Sequence, residues 1–426
     1  GLEAKYIIRT LLNDLRIGVA SGTLRDSIHE SFFKKQDKET LDLIQSAYDK
    51  STDLALVFEK ASKGKKALSS IKLHPGKPIK VMLALKAENI DDGFKKVGKP
   101  AVFEYKYDGF RMLINKNETG EIKIFTRRLD EVTKQFPEVV DYIKKHVKAK
   151  SFILDSEAVG YNPKTKKYTD FQYISQRIRR KHNIESLIKK LPVEINVFDI
   201  LYHNGKALID EPFKKRSELL RKILKSQKYK LVTAKQLITS DEKKAQKFYE
   251  EALKANEEGV MIKSLLSPYK PGSRVGHMLK LKPNEKELDL VIIGAEYGKG
   301  KRAGWLSSFD LACLNQKTQK YVGLGKVGTG IKEKSELGVS FEQLTKLLLP
   351  LKISEKDKHI VVKPKIIVTI TYQNIQRSPS YPSGFALRFP RLTVLRDPKD
   401  KSLKDIATLK DLETDYNRLN EWRRPA

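Results

Sequence analysis

The sequence predicts a multi-domain α+β protein: a small helical unit, then a mixed α/β domain, then a strand-rich domain. Three observations point there. The chain has 426 residues, room for about three domains at roughly 150 residues each. Its apolar residues change along the chain from helical to alternating spacing. Ser, Gly and two Pro residues gather over 63–80, where the first change falls, and read as a linker.

In order, Ile7, Ile8, Leu11, Leu12 and Leu15 recur at helical spacing over 5–15, with Gly18 where a helix would stop. A second helix is expected near Thr23, and helical periodicity returns over 41–58. Residues 1–75 are thus the expected helical domain. Residues 76–284 alternate strands, over 102–107, 111–115, 122–126 and 152–154, with helices over 136–146, 217–224 and 245–255. In residues 285–426 strands are expected over 288–295, 308–314, 321–323 and 366–372, with one helix over 341–349. A small β-barrel of the OB type fits that order, and a compact sandwich fits it too. Gly323, Gly325 and Gly328 match the spacing of a dinucleotide-binding loop, but such a loop must open a helix in a βαβ unit. Strand-rich sequence surrounds these glycines, so a turn between barrel strands is expected and a Rossmann cofactor site is not.

The 84 Lys and Arg residues exceed the 53 Asp and Glu by 31. Neutralising phosphates releases condensed counterions, so nucleic acid is the leading partner class for such a chain. No apolar run approaches the roughly 20 residues that span a bilayer, and no signal peptide opens the chain. The single cysteine, Cys313, excludes a disulfide framework and fits a reducing, intracellular compartment. The chain opens on Gly1 rather than Met, as a trimmed piece of a longer protein would.

The chemistry concentrates in Glu104-Tyr105-Lys106-Tyr107-Asp108-Gly109-Phe110-Arg111. A lysine ending a strand, followed by an acid, a glycine turn and an arginine, suits a nucleophilic amine. Arg111 and a bound metal would lower its pKa by like-charge repulsion, and Gly109 would let the backbone turn sharply. Further segments follow: Phe125-Thr126-Arg127, Leu154-Asp155-Ser156-Glu157, Val197-Phe198-Asp199-Ile200-Leu201, Glu258-Gly259-Val260-Met261-Ile262-Lys263 and Leu279-Lys280-Leu281-Lys282, with Arg274 shortly before the last. Near the end stand Leu387-Arg388-Phe389-Pro390-Arg391 and Arg396-Asp397-Pro398-Lys399. Singly each has a bland reading. Lys280 and Lys282 alternate as on any half-exposed strand, Phe198 suits a core, and Glu157, Glu258, Arg388 and Arg391 suit a solvated surface. Together, two lysines on one strand face suit a triphosphate, and two carboxylates near phosphates suit magnesium.

In this order and spacing the segments resemble the ATP-dependent DNA ligases of the archaeal and eukaryotic replicative type, within the covalent nucleotidyltransferase superfamily. The resemblance implies a nucleotidyltransferase (adenylation) domain built on antiparallel sheets, an OB-fold barrel, and a helical DNA-binding domain of which residues 1–75 are the last part. It implies that Lys106 forms a lysine-AMP phosphoramide, that AMP passes to the 5′-phosphate of a nick, and that the 3′-hydroxyl displaces it. Glu104, Arg111, Arg127, Glu157, Phe198, Lys263, Arg274, Lys280 and Lys282 then surround ATP, with Phe198 stacked on adenine, Glu104 on the adenine side of the pocket, Glu157 at the ribose or the metal, and Arg127 directed at the nucleotide or the nick phosphate. Arg396 and Lys399 close over the triphosphate from the barrel, across a hinge over 282–287. Glu157 and Glu258 hold Mg²⁺, and Ser156 replaces the family's usual glycine. Arg388 and Arg391 address DNA, as do Arg16 and Arg25 beside helix ends, where ordinary capping explains the local pattern equally well. Nicked duplex DNA in replication, repair and recombination, a sliding clamp and a monomeric enzyme complete the expectation. An RNA ligase or capping-type enzyme would be told apart by GTP or RNA-end use, and a non-catalytic DNA-binding protein by failure to release pyrophosphate.

Overall fold

The structure, a computed structural model, describes all residues except 1, 12–18, 34–36, 170, 179, 181, 256, 284–285, 334–335, 337, 399 and 421–426. The chain divides into two compact units, Gly1–Pro283 and Asn284–Ala426.

The first unit opens with helices Leu2–Leu11, Ser21–Phe32, Lys38–Ser51, Leu54–Ser62 and Lys65–Ser69. The expected first helix thus starts earlier, and Leu12, Leu15 and Gly18 lie outside the described residues. Aspartates start two of the helices: Asp37 accepts from the Thr40 N–H at 2.6 Å and Asp53 from the Leu56 N–H at 3.0 Å, supplying partners for otherwise unpaired amides. Ile28, Ile44, Val57 and Leu68 form the helical core. The linker expected over 63–80 is not free. Leu68 and Ile71 join that core, while Leu73 and Ile79 join the next one, because the apolar residues between its glycines and prolines have two cores to enter. Lys80 ties the two parts, its ammonium 3.1 Å from Asp49.

Two sheets follow. The first has five strands in the order Leu83–Lys86, Arg274–Leu281, Gly259–Ser264, Ala101–Lys106 and Gln236–Thr239. In the second, Ile122–Thr126, Phe110–Lys116, Phe152–Gly160, Val193–His203 and Lys206–Ala207 pair in that order, and Leu231–Thr233 pairs with Val193–His203. Helices Ile90–Val97 and Glu242–Lys254 cover the outer face of the first sheet through Phe94, Ala245 and Phe248. The two sheets meet through Met82, Leu113, Phe125, Ile153, Leu201 and Met278.

In the second unit, Lys286–Tyr297 is the central strand. Along one edge its Lys286–Val291 half pairs with Tyr372–Ile367 and Gly294 to Glu296 pair with Val361 to His359, while Val291 to Tyr297 pair on the other edge with the strand Leu306–Asn315. Leu290, Phe309, Leu324, Phe341 and Ile370 fill the core. The helix Phe341–Leu348 matches expectation, and a further helix, Leu409–Asn420, closes the described chain. The expected turn at Gly323 is instead part of the strand Lys320–Val327. Ala312 faces Gly323 and Leu311 faces Gly325, leaving Leu324 unmatched in a bulge. Gly325 carries the positive φ of 152° this needs, and Leu324 is buried in the core. The glycine run therefore opens no helix.

Candidate active site

Strand register assembles the site. In the first sheet Gly259 lies opposite Lys106, Met261 opposite Glu104 and opposite Lys280, and Lys263 opposite Val102. Directly opposed residues share a face, and residues two apart on a strand share it too. One face of three adjacent strands therefore collects Glu104, Lys106, Lys263, Lys280 and Lys282. The other face presents Phe103, Tyr105, Val260, Ile262, Leu279 and Leu281 to the helices. The alternation that looks ordinary in Leu279-Lys280-Leu281-Lys282 is that of a strand with one apolar face and one cationic face.

Lys106 ends its strand, and the Glu258 N–H donates to its carbonyl at 2.8 Å. This places the Glu258 carboxylate against the Lys106 ammonium, with Lys282 on the same oxygen at 2.5 Å. Burial pushes the Glu258 carboxyl up, but Lys106 and Lys282 outweigh it and hold the pKa near 2. Lys280 shifts the other way: partial burial, then crowding by Lys282, Lys106 and Arg274, lowers its pKa.

Glu104 is 2% exposed. One of its oxygens accepts from Lys263 at 2.5 Å and the other from the Gln236 amide at 3.0 Å. Burial raises its pKa, opposed by Lys263. The Lys263 ammonium lies 4.9 Å from the centre of the Phe198 ring and 4.6 Å from that of Phe213. Phe198 owes its position to a bulge: Ser156 faces Val197 and Asp155 faces Asp199, so Phe198 has no opposite number and a bulge re-aims its side chain. Its half-exposed ring also lies 5.4 Å from the Arg111 guanidinium.

Arg111 is pinned in place. It grips both oxygens of the fully buried Asp155, donates to the Met82 carbonyl at 2.9 Å and lies 3.2 Å from the Tyr269 hydroxyl, which itself donates to Asp155 at 2.7 Å. The carboxylate against Lys106 is that of Glu258, and Arg111 is paired with Asp155. Glu157 lies opposite Arg111 in the sheet. Burial raises its pKa to about 8, with Lys106 and Arg111 opposing and Glu258 adding to the rise. Ser156, in the position expected to hold glycine, is fully buried and donates to the Met112 carbonyl at 2.7 Å.

Other expected residues lie at or beyond the margin of this cluster. Arg274 starts its strand exposed, opposite Leu83, with its charge still felt by Lys280, and Arg127 is exposed beyond the strand Ile122–Thr126. Arg25 pairs with Asp26 at 2.6 Å and with Gln45 at 3.1 Å, and Arg16 lies outside the described residues. In the second unit Arg396 donates to Asp289 at 3.1 Å, Arg388 lies 5.2 Å from the Phe389 ring, and Arg391 is exposed. Lys399 lies outside the described residues. Gln236, Tyr269 and Phe213 escaped the sequence reading because only strand register and side-chain packing show them beside the site, and Asp155 stood in a recognised segment without a role of its own. Phe389, between Arg388 and Pro390, is 70% exposed with a positive φ of 52°.

Comparison with known proteins shows the family. The family model described as ATP dependent DNA ligase domain matches residues 81–282, and that of the ATP dependent DNA ligase C terminal region matches 302–399. The chain is 46% identical to the DNA ligase of Nanoarchaeum equitans over 417 residues, covering 97% of this chain and 72% of that one. The chain belongs to the ATP-dependent DNA ligases. The DNA ligase of Thermococcus fumicolans is similarly related, 40% identical over 97% of this chain and 72% of its own. A solved structure described as Pmar-Lig_Pre superposes with a TM-score of 0.57, covering 91% of this chain and 74% of that one at 18% identity, a likeness of fold. The ligase thus has an adenylation domain and an OB-like C-terminal domain, and among the described residues no helix is long and apolar enough to cross a membrane.

Proposed function

We propose that this ligase seals nicks in duplex DNA with Lys106 as the nucleophile that carries AMP. The observation that carries the assignment is the single sheet face on which Lys106, Lys263, Lys280 and Lys282 stand with Glu104, bordered by Phe198 and Arg111. The Lys106 amine, once free of its proton, attacks the α-phosphorus of ATP. An N–P bond forms as the P–O bond to pyrophosphate breaks. AMP then moves to the 5′-phosphate at the nick, and the 3′-hydroxyl displaces it. Splitting one condensation into displacements is covalent catalysis, and the rest is alignment and neutralisation of phosphate charge.

In this reading Phe198 stacks on the adenine, Glu104 meets its edge, and Lys280 and Lys282 cradle the phosphates with Lys263 and Arg111 close by. Arg127, Arg274, Arg396 and Lys399 complete the nucleotide's cationic surroundings, and Arg25, Arg16, Arg388 and Arg391 address DNA. Magnesium takes one or two carboxylates together with phosphate oxygens and water. Glu157 and Glu258 fit that role: both lie at the site, and the charge of Glu258 acts on Glu157. Among the described residues no group of three or more His, Cys, Asp or Glu offers an alternative. When bound, the ion would neutralise charge on the reacting phosphates. Roles in replication, repair and recombination, a sliding-clamp partner, a monomeric state and an intracellular location belong to the same reading. Exposing Lys106→Ala to ATP labelled at the α-phosphate tests it: no covalent adduct forms, while a nick already carrying AMP is still sealed. Labelled protein from the variant would overturn the assignment.

A further inference from the structure

Gln236 lies in the edge strand Gln236–Thr239, directly opposite Glu104. Its amide donates to Glu104 Oε1 at 3.0 Å and lies 3.4 Å from the Ser217 hydroxyl on the neighbouring helix. The other oxygen of Glu104 is taken by Lys263, which the Phe198 and Phe213 rings confine. The geometry points to Gln236 as a specificity-determining positioning residue that holds Glu104 as an acceptor-only carboxylate at the base edge, so that the enzyme takes ATP and rejects GTP. The inference rests on the proposed placement of Glu104 beside the base.

The chemistry runs through lone pairs. Each carboxylate oxygen can accept two hydrogen bonds. With one donor on each oxygen from the protein, Glu104 keeps acceptor capacity for the exocyclic amine of adenine and has no proton to offer. Guanine presents a carbonyl oxygen at that position, and two buried acceptors would face each other unpaired. Sites built around such a hydrogen bond discriminate by large factors, because the wrong partner leaves buried polar groups unsatisfied. Without Gln236 the carboxylate has one fixed donor and can turn toward Lys263. Burial also favours its protonated form, with Lys263 opposing, and a protonated Glu104 could donate to the guanine carbonyl. Gln236 is half-buried on an edge strand, so losing its amide disturbs little else.

The test measures adenylation of the full chain with labelled ATP and labelled GTP in Gln236→Met, Gln236→Leu and, as a reference for the base edge, Glu104→Gln, with thermal unfolding of each variant. The two Gln236 variants should stay folded and melt only modestly below the parent, by the loss of one hydrogen bond to a buried carboxylate. They should lose about tenfold of the ATP-over-GTP ratio of kcat/KM, the scale of one hydrogen bond to a charged group. The loss should lie in KM, with kcat for ATP within about twofold. If Glu104→Gln shifts the ratio and both Gln236 variants leave it unchanged, the role of Gln236 is wrong and the placement of Glu104 stands. If none of the three shifts it, the placement of Glu104 has failed and the inference falls with it. A lower kcat at constant ratio would reduce Gln236 to a structural residue and overturn the proposal.

Discussion

Gly109 lies where no side chain fits. A β-carbon there would come within 2.2 Å of the Ala158 carbonyl oxygen and 3.0 Å of Glu157 Cγ. The glycine beside the lysine is needed for close approach of two strands, and not for the sharp turn its place in the sequence suggests, since its φ is not among the positive ones. Gly109→Ala should therefore push the Lys106 loop away from Glu157. Overpacking of this kind costs about 1–3 kcal/mol. The expected outcome is a lower thermal midpoint and at least about tenfold slower adenylation, and an unchanged midpoint with normal adenylation would show that the strands yield. Which residue types cluster here could be seen in the sequence: Lys106, Glu157, Phe198, Lys280 and Lys282 are expected at the nucleotide and Glu258 at the metal. Their partners could not, because Glu258 against Lys106, Asp155 against Arg111 and Gln236 against Glu104 are set by register between strands distant in sequence.

The pairing of elements carries its own pH dependence. In the second unit Asp289, on Lys286–Tyr297, accepts from Thr369 Oγ1 at 2.7 Å and from Arg396 at 3.1 Å, with Lys401 at 3.4 Å. Burial pushes its pKa up, but these donors outweigh burial and hold it below the ordinary aspartate value. A carboxylate depressed in the folded state stabilises above its unfolded pKa, near 3.9, and that contribution disappears as pH falls through the folded value. Asp289→Asn should therefore melt lower than the parent at neutral pH, and the two midpoints should converge on acidification below about pH 4. A constant gap at all pH values would mean that ionisation of Asp289 adds nothing. Elements with clean periodicity, such as the helix Phe341–Leu348 and the strand Ile122–Thr126, could be read from the sequence. Bulges could not: Leu324 and Phe198 each sit where one strand gains a residue over its partner, and alternation says nothing about which partner that is. The supposed linker over 63–80 also misled, because Leu68, Ile71, Leu73 and Ile79 are each buried among residues that mark a turn.

Across the whole molecule, the excess of 31 positive charges should divide between two polyanions. A few lysines and arginines serve ATP in the pocket, and the remainder suit a duplex. Contacts with DNA phosphates weaken with salt in proportion to the counterions released. Nick sealing should then fall by orders of magnitude between about 50 mM and about 200 mM salt, whereas adenylation of Lys106 should change far less. Equal salt sensitivity of the two steps would contradict that division. The most direct measurement follows the label itself. The ligase is reacted with ATP labelled at the α-phosphate, digested to locate the adduct, and in parallel given nicked duplex. The label should map to the peptide bearing Lys106 and leave it when nicked DNA is added, as strands are sealed and AMP is released. Label on any other residue, or a Lys106 adduct that nicked DNA cannot discharge, would contradict the mechanism.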